Sequence, residues 1–224
     1  VFFAVFAHNG FLSMQGMKSY LQVSSEIGIL AVGVALLMIA GEFDLSIGSL
    51  IGFSSMSMTL LTVEANMSIP LASFCALLLT IFVGYCNGLT VVKSGLPSFI
   101  ITLGSLFIVR GLTIAVSKII TGRTQLGGIS KSSGYDFMSS LFSSNLTISG
   151  VDFPISILWW ILFIIAGYFL LNHTQIGNWI FATGASKESS MLMGIPVNQV
   201  KISLFIFTAF CAWFIAVIQV TTYG

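Results

Sequence analysis

The sequence predicts an all-α bundle of membrane-spanning helices, and three observations carry that reading. Of 224 residues, 56% are apolar and only 7% are charged, against roughly 25% charged in an ordinary soluble domain. The mean hydropathy is +1.04. Four apolar runs, 69–92, 97–117, 154–171 and 202–220, reach or approach the ~20 residues that carry a helix across a bilayer core. Their mixed Leu, Ile, Phe, Gly and Ser content lacks the apolar–polar alternation of barrel strands. A net charge of +1 cannot neutralise a phosphate backbone, so a nucleic-acid binder is excluded. The apolar content also excludes disorder. Three Cys within apolar runs define neither a disulfide framework nor a metal pair.

Taken in order, residues 1–7 (VFFAVFA) start in mid-run with no Met and no basic segment. They read as the tail of a cut helix, not a signal peptide, and the chain as an internal piece of a longer membrane protein. Residues 27–40 are apolar but cover only about 21 Å as helix, too short to span alone. Gly41-Glu42-Phe43-Asp44 interrupts them before a second apolar run, 45–63. Two carboxylates between apolar half-segments must face protein, a water-filled cavity or the membrane surface. A backbone break at that depth suggests an element lining a pathway. With the four longer runs this makes about six helices in one transmembrane domain over 1–224. Polar connections occupy 121–153 and 173–201. Basic residues divide three (Lys93, Lys187, Lys201) against four (Lys18, Lys118, Arg123, Lys131) between the two sides, so charge does not orient the chain.

The break is the most informative local signal. Asp44 and Ser46 read as a helix start, where a carboxylate or hydroxyl accepts from orphan N–H groups. Asp44, Ser46 and Ser49 either cap the helix or line a substrate pathway. Gly48-x-x-x-Gly52 reads as a close helix–helix contact, and so does Gly84-x-x-x-Gly88. Asn87, inside that second motif, either bonds across helices or lines the pathway. Arg110 lies inside a spanning run, where it must pair, snorkel or line water. Asp44 and Glu42 are its candidate partners, and an ion pair or interfacial position is favoured over substrate binding. His8 and His173 lack the i+3 or i+4 partner of a metal site. No nucleotide-binding loop, nucleophile elbow or zinc motif is present, so no catalytic or metal residue is assigned. Ser186 as cap, Glu188 in the first turn, Gly194 at the end and Pro196 as breaker mark a short helix over 187–193. Its Met191, Leu192 and Met193 either rest on lipid headgroups or dock a partner protein.

Three blocks resemble the permease subunits of bacterial sugar ABC importers of the ribose, xylose and autoinducer-2 type. Residues 41–49 resemble the family's Gly-Gly-Ile-Asp-Leu-Ser-x-Gly-Ser signature. Asn87-Gly88, Lys93, residues 97–104 and Arg110-Gly111 resemble the next block. Ile176-Gly177, Ala182-Thr183-Gly184, Gly194-Ile195-Pro196-Val197 and Lys201-Ile202 resemble its cytoplasmic loop. Glu42-Phe43 departs from the usual Gly-Ile, and Ala185-Ser186 from Gly-Asn.

The resemblance implies a chain of about ten helices, multi-pass in the bacterial inner membrane. It implies a permease without its own ATPase, importing a monosaccharide. Its partners would be an ATP-binding cassette subunit that holds ATP and Mg, a periplasmic sugar-binding protein, a second permease subunit and membrane lipid. No cofactor is expected on this chain itself. Residues 121–153 would be periplasmic and 173–201 a cytoplasmic coupling loop, with Gly184, Ser186, Lys187, Glu188, Met191, Leu192 and Gly194 contacting the ATPase. The alternative is a proton- or ion-coupled secondary transporter using Glu42 and Asp44.

Overall fold

The computed structural model describes residues 13–148 and 150–224; the segment holding the cut-helix tail and His8 lies outside the described residues. The described residues form helices α1 (Met14–Ile39), α2 (Ile47–Val63), α3 (Ile69–Ser94), α4 (Ser98–Thr121), α5 (Tyr135–Phe142), α6 (Ser156–His173), α7 (Gln175–Ala185), α8 (Lys187–Leu192) and α9 (Val197–Tyr223). Helices α1, α3, α4, α6 and α9 are long and apolar enough to cross a membrane, and α2 is a shorter apolar helix. These are the six apolar helices that the sequence predicts.

Two boundaries differ from expectation. The stretch 27–40 is not a half-helix but the second part of α1, which begins at Met14. Its more polar first half stays helical because its side chains find partners. Ser13 Oγ accepts from the Gly16 N–H at 3.0 Å. Ser25 and Ser156 hydroxyls lie 2.8 Å apart, and Gln219 Nε2 donates to Glu26 Oε2 at 3.0 Å. The connection 121–153 is folded, not plain loop. It holds a 3-10 turn (Ile129–Lys131), α5 and an antiparallel hairpin of β1 (Asn145–Ile148) and β2 (Val151–Pro154). Pro154 therefore closes a strand, and the next helix opens at Ser156.

Helix α9 is the axis of the bundle, buried along most of its length and packed against α3, α2 and α1. Glycines permit the closest approaches. A Cβ on Gly84 would lie 2.6 Å from the Ala209 Cβ and 2.8 Å from the Phe205 carbonyl oxygen, and one on Gly88 would lie 3.0 Å from the Ile202 Cα. The motif in α3 thus seats that helix on α9. On the side of 121–153, Phe142 and Trp159 stack on each other and meet Phe214 edge to face, and the Trp213 indole donates to the Ser73 carbonyl at 2.9 Å. Helices α4 and α6 bury few residues and present broad apolar faces, as helices facing lipid do.

Candidate functional site

The chain leaves α1 through Gly41, whose φ of +82° suits a residue without a Cβ. Gly184 of α7 packs against this turn; a Cβ there would collide with the Ile39 carbonyl oxygen. Gly184, expected among the ATPase-contacting residues, therefore also holds α7 to the end of α1.

The irregular backbone between α1 and α2 is satisfied by hydroxyls of α4. The Phe43 N–H donates to Ser98 Oγ at 2.9 Å and the Leu45 N–H to Thr102 Oγ1 at 3.1 Å. A buried backbone N–H needs a partner, and these two hydroxyls supply it to the break. The same bonds place the start of α4 beside the start of α2, and both helices run away from the break.

The side chains of the break form a buried network. Ser46 donates to Asp44 Oδ1 through its N–H at 2.8 Å and its hydroxyl at 2.6 Å. Asn87 Nδ2 donates to Ser46 Oγ at 3.0 Å, and Thr208 Oγ1 donates to Asp44 Oδ2 at 3.2 Å. Ser46 and Thr208 donate to the Asp44 carboxylate, Asn87 reaches it through the Ser46 hydroxyl, and all four residues are buried. Asn87 thus bonds across helices from α3, and Asp44 caps α2 from just outside it. Glu42 also meets α9, about two turns nearer its start than Thr208, where it forms an ion pair with Lys201. Lys201 and Lys187 share with Glu42 a cavity of about 270 Å³ that reaches the start of α8.

Along the rest of α2 the protein is open. A Cβ on Gly48 or Gly52 would meet nothing within 4 Å. The helix contact expected at these glycines is not made within this chain, because the face they share borders cavities. One, of about 360 Å³, is lined by Gly48, Ser49, Gly52 and Phe53 of α2 and by Arg110 and Thr113 of α4. The next, of about 430 Å³, is lined by Ser55, Met56 and Thr59 of α2, the segment after α4 and the end of α9. The two share Gly52, Met56 and Thr124, so the space continues along α2. Arg110 is exposed halfway along α4. It pairs with neither Glu42 nor Asp44, since Lys201 and the hydroxyls hold those.

The docking candidate is shorter than expected, ending at Leu192. Ser186 Oγ accepts from the Ser189 N–H at 3.3 Å, Glu188 lies in the first turn, and Gly194 adopts φ +79°. Leu192 is 90% exposed, Met193 68% and Met191 43%. Among the described residues no group of His, Cys, Asp or Glu is placed to hold a metal.

Sequence reasoning missed the Glu42–Lys201 pair and the roles of Ser98, Thr102 and Thr208. The spacing of Ser98 and Thr102, four apart in the first turns of an apolar helix, was a readable signal. Nothing local marked the other two.

Five helices long and apolar enough to cross a membrane, with a polar break between α1 and α2 and cavities beside α2, make the described residues an integral-membrane bundle. Residues 16–224 match the family described as "Branched-chain amino acid transport system / permease component", and the chain belongs to that family. It is 29% identical over 224 residues to a xylose/arabinose import permease protein of Sulfolobus acidocaldarius, covering 97% of this chain and 58% of the relative. It is 28% identical over 216 residues to the ribose import permease protein of Escherichia coli K12, covering 94% and 62%. It is 26% identical over 200 residues to an autoinducer 2 import system permease protein of Salmonella paratyphi B, covering 88% and 57%. The chain thus spans less than two thirds of each relative's length. No solved structure gives a significant match.

Proposed function

We propose that the chain is the solute-conducting part of an ATP-driven importer for a small polyhydroxylated molecule, of the kind named for its relatives: ribose, xylose or arabinose, or autoinducer 2. The observation that carries this reading is the pair of adjoining cavities along α2. They extend from the 121–153 side to Gly48 and Ser49 in the first turn of α2, which follows the buried Asp44 network in the chain. In this reading the 121–153 side is periplasmic and delivers solute from a binding protein, while the network closes the inner end. Ser49 borders the path, whereas Asp44, Ser46 and Asn87 form its seal.

Energy enters through the opposite side. Helix α8, capped and rigid, presents Met191 and Leu192 to a separate ATPase subunit that holds ATP and Mg. Its motion reaches the seal by two attachments, Lys201 on Glu42 and Gly184 on the last turn of α1. A second permease subunit, identical or related, completes the path in the cell membrane. The alternative of proton or ion coupling through Glu42 and Asp44 has less support, because both carboxylates are already engaged by protein donors.

The test reconstitutes the full-length permease with its ATPase and binding protein in vesicles and measures uptake of labelled D-ribose and D-xylose. Uptake that requires ATP hydrolysis supports the proposal. Uptake driven by a proton gradient without the ATPase contradicts it.

A further inference from the structure

We infer that Arg110 is a solute-contacting residue, forming with Ser49, Phe53 and Thr124 a mid-depth site for a neutral polyhydroxylated molecule. This rests on the path proposed above and gives it a chemical selectivity. Four observations carry it. Arg110 lies halfway along a 24-residue apolar helix, where an ionisable group is rare and marks a functional position by default. Neither a hydrogen bond nor an ion pair engages its side chain among the described residues, and the cavity it borders has no carboxylate in its lining. That cavity, about 360 Å³, falls in the ~300–1,000 Å³ class of small-molecule sites. Its walls also mix hydroxyls (Ser49, Thr113, Thr124) with the flat apolar ring of Phe53.

The chemistry follows from that set. A guanidinium offers donors in a fixed fork, suited to two adjacent hydroxyl oxygens of one molecule. Ser and Thr hydroxyls accept from the same molecule's O–H groups, and the Phe53 ring covers its C–H face. The absence of a lining carboxylate disfavours cations. An anion would pair directly with the Arg110 charge, and a conducting site must bind weakly enough to release. A neutral polyol satisfies both conditions.

The experiment uses the full-length permease with Cys75, Cys86 and Cys211 replaced by Ala, assembled with its ATPase and binding protein in vesicles. Arg110→Cys and Ile108→Cys are compared for reaction with a membrane-impermeant thiol reagent. Ile108 is 63% exposed on the same helix but lies outside the cavity lining. The expected result is reaction at position 110, slowed by saturating D-ribose, and little reaction at 108. In parallel, Arg110→Gln should raise the KM for D-ribose uptake by about tenfold, the value of one charged hydrogen bond, with ATPase co-purification unchanged. Equal reactivity at the two positions, or an unchanged KM in Arg110→Gln, overturns the inference. A labelling contrast in a permease whose unsubstituted form takes up no pentose supports the water-filled position of Arg110 and instead overturns the substrate proposed above.

Discussion

Lys201, about one turn into α9, donates to Glu42 in the break that ends α1, and the pair joins positions 159 residues apart. Both side chains are largely buried, at 13% and 10% exposure. Removing one member of a buried pair strands a charge, typically at ~3–5 kcal/mol, whereas removing both is far milder. Glu42→Ala or Lys201→Ala alone should therefore lower stability by about 3 kcal/mol. The double variant should lose clearly less than the sum. Thermal unfolding of the purified full-length permease in detergent measures all three. Additive losses would mean that the two residues act independently.

Asp44 carries a different expectation. Asp44→Ala leaves the Ser46 N–H without its acceptor and frees the Asn87–Ser46 arm of the network. An unsatisfied buried donor costs ~1–3 kcal/mol. If the network is the inner seal, uptake per inserted molecule should fall as well, while a role confined to capping would leave that ratio unchanged. Uptake normalised to inserted protein separates the two.

The two Gly-x-x-x-Gly motifs should respond oppositely to a single methyl. Gly84→Ala meets Ala209 and the Phe205 carbonyl at 2.6 and 2.8 Å, and overpacking of this kind costs ~1–3 kcal/mol. Gly52→Ala meets nothing within 4 Å, so stability should hold while the narrowed cavity slows uptake. Measuring unfolding and uptake on both variants tests the assignment. A destabilised Gly52→Ala with normal specific uptake would return that glycine to helix packing.

This contrast shows what was legible in the sequence. Hydropathy alone identified four of the five spanning helices among the described residues, and the break, because length and apolar content are local properties. The identical spacing of Gly48/Gly52 and Gly84/Gly88 did not reveal which pair meets a helix, since that depends on what lies opposite. The polar start of α1 misled for the same reason: Ser25 and Glu26 are satisfied by Ser156 and Gln219, which no local pattern connects to them. Ser186 and Gly194 bounded α8 correctly to within a residue, because caps act within one turn. Asp44 was legible as a cap, but its second partner Thr208, 164 residues away, was not.

Helix α8 supplies the prediction on energy coupling. Leu192 and Met191 project from it with little cover. If they are the anchors on the ATPase, truncating one removes about 2 kcal/mol of docking, roughly a thirty-fold loss of affinity. Met191→Ala/Leu192→Ala should reduce ATPase co-purification with normal membrane insertion. Unchanged co-purification with poorer insertion would place this helix on lipid instead.

The central claim is that one face of α2 borders a water-filled path that the Asp44 network closes. Its most direct test is a cysteine-accessibility scan along α2 of the reconstituted full-length complex, using an impermeant thiol reagent added on the binding-protein side. The account predicts reaction at positions 49, 52, 56 and 59, protection at 46, 50 and 58, and a change in the reactivity of 49 when the ATPase is trapped with nucleotide. Reaction without that helical pattern, or a pattern indifferent to the ATPase, would contradict it.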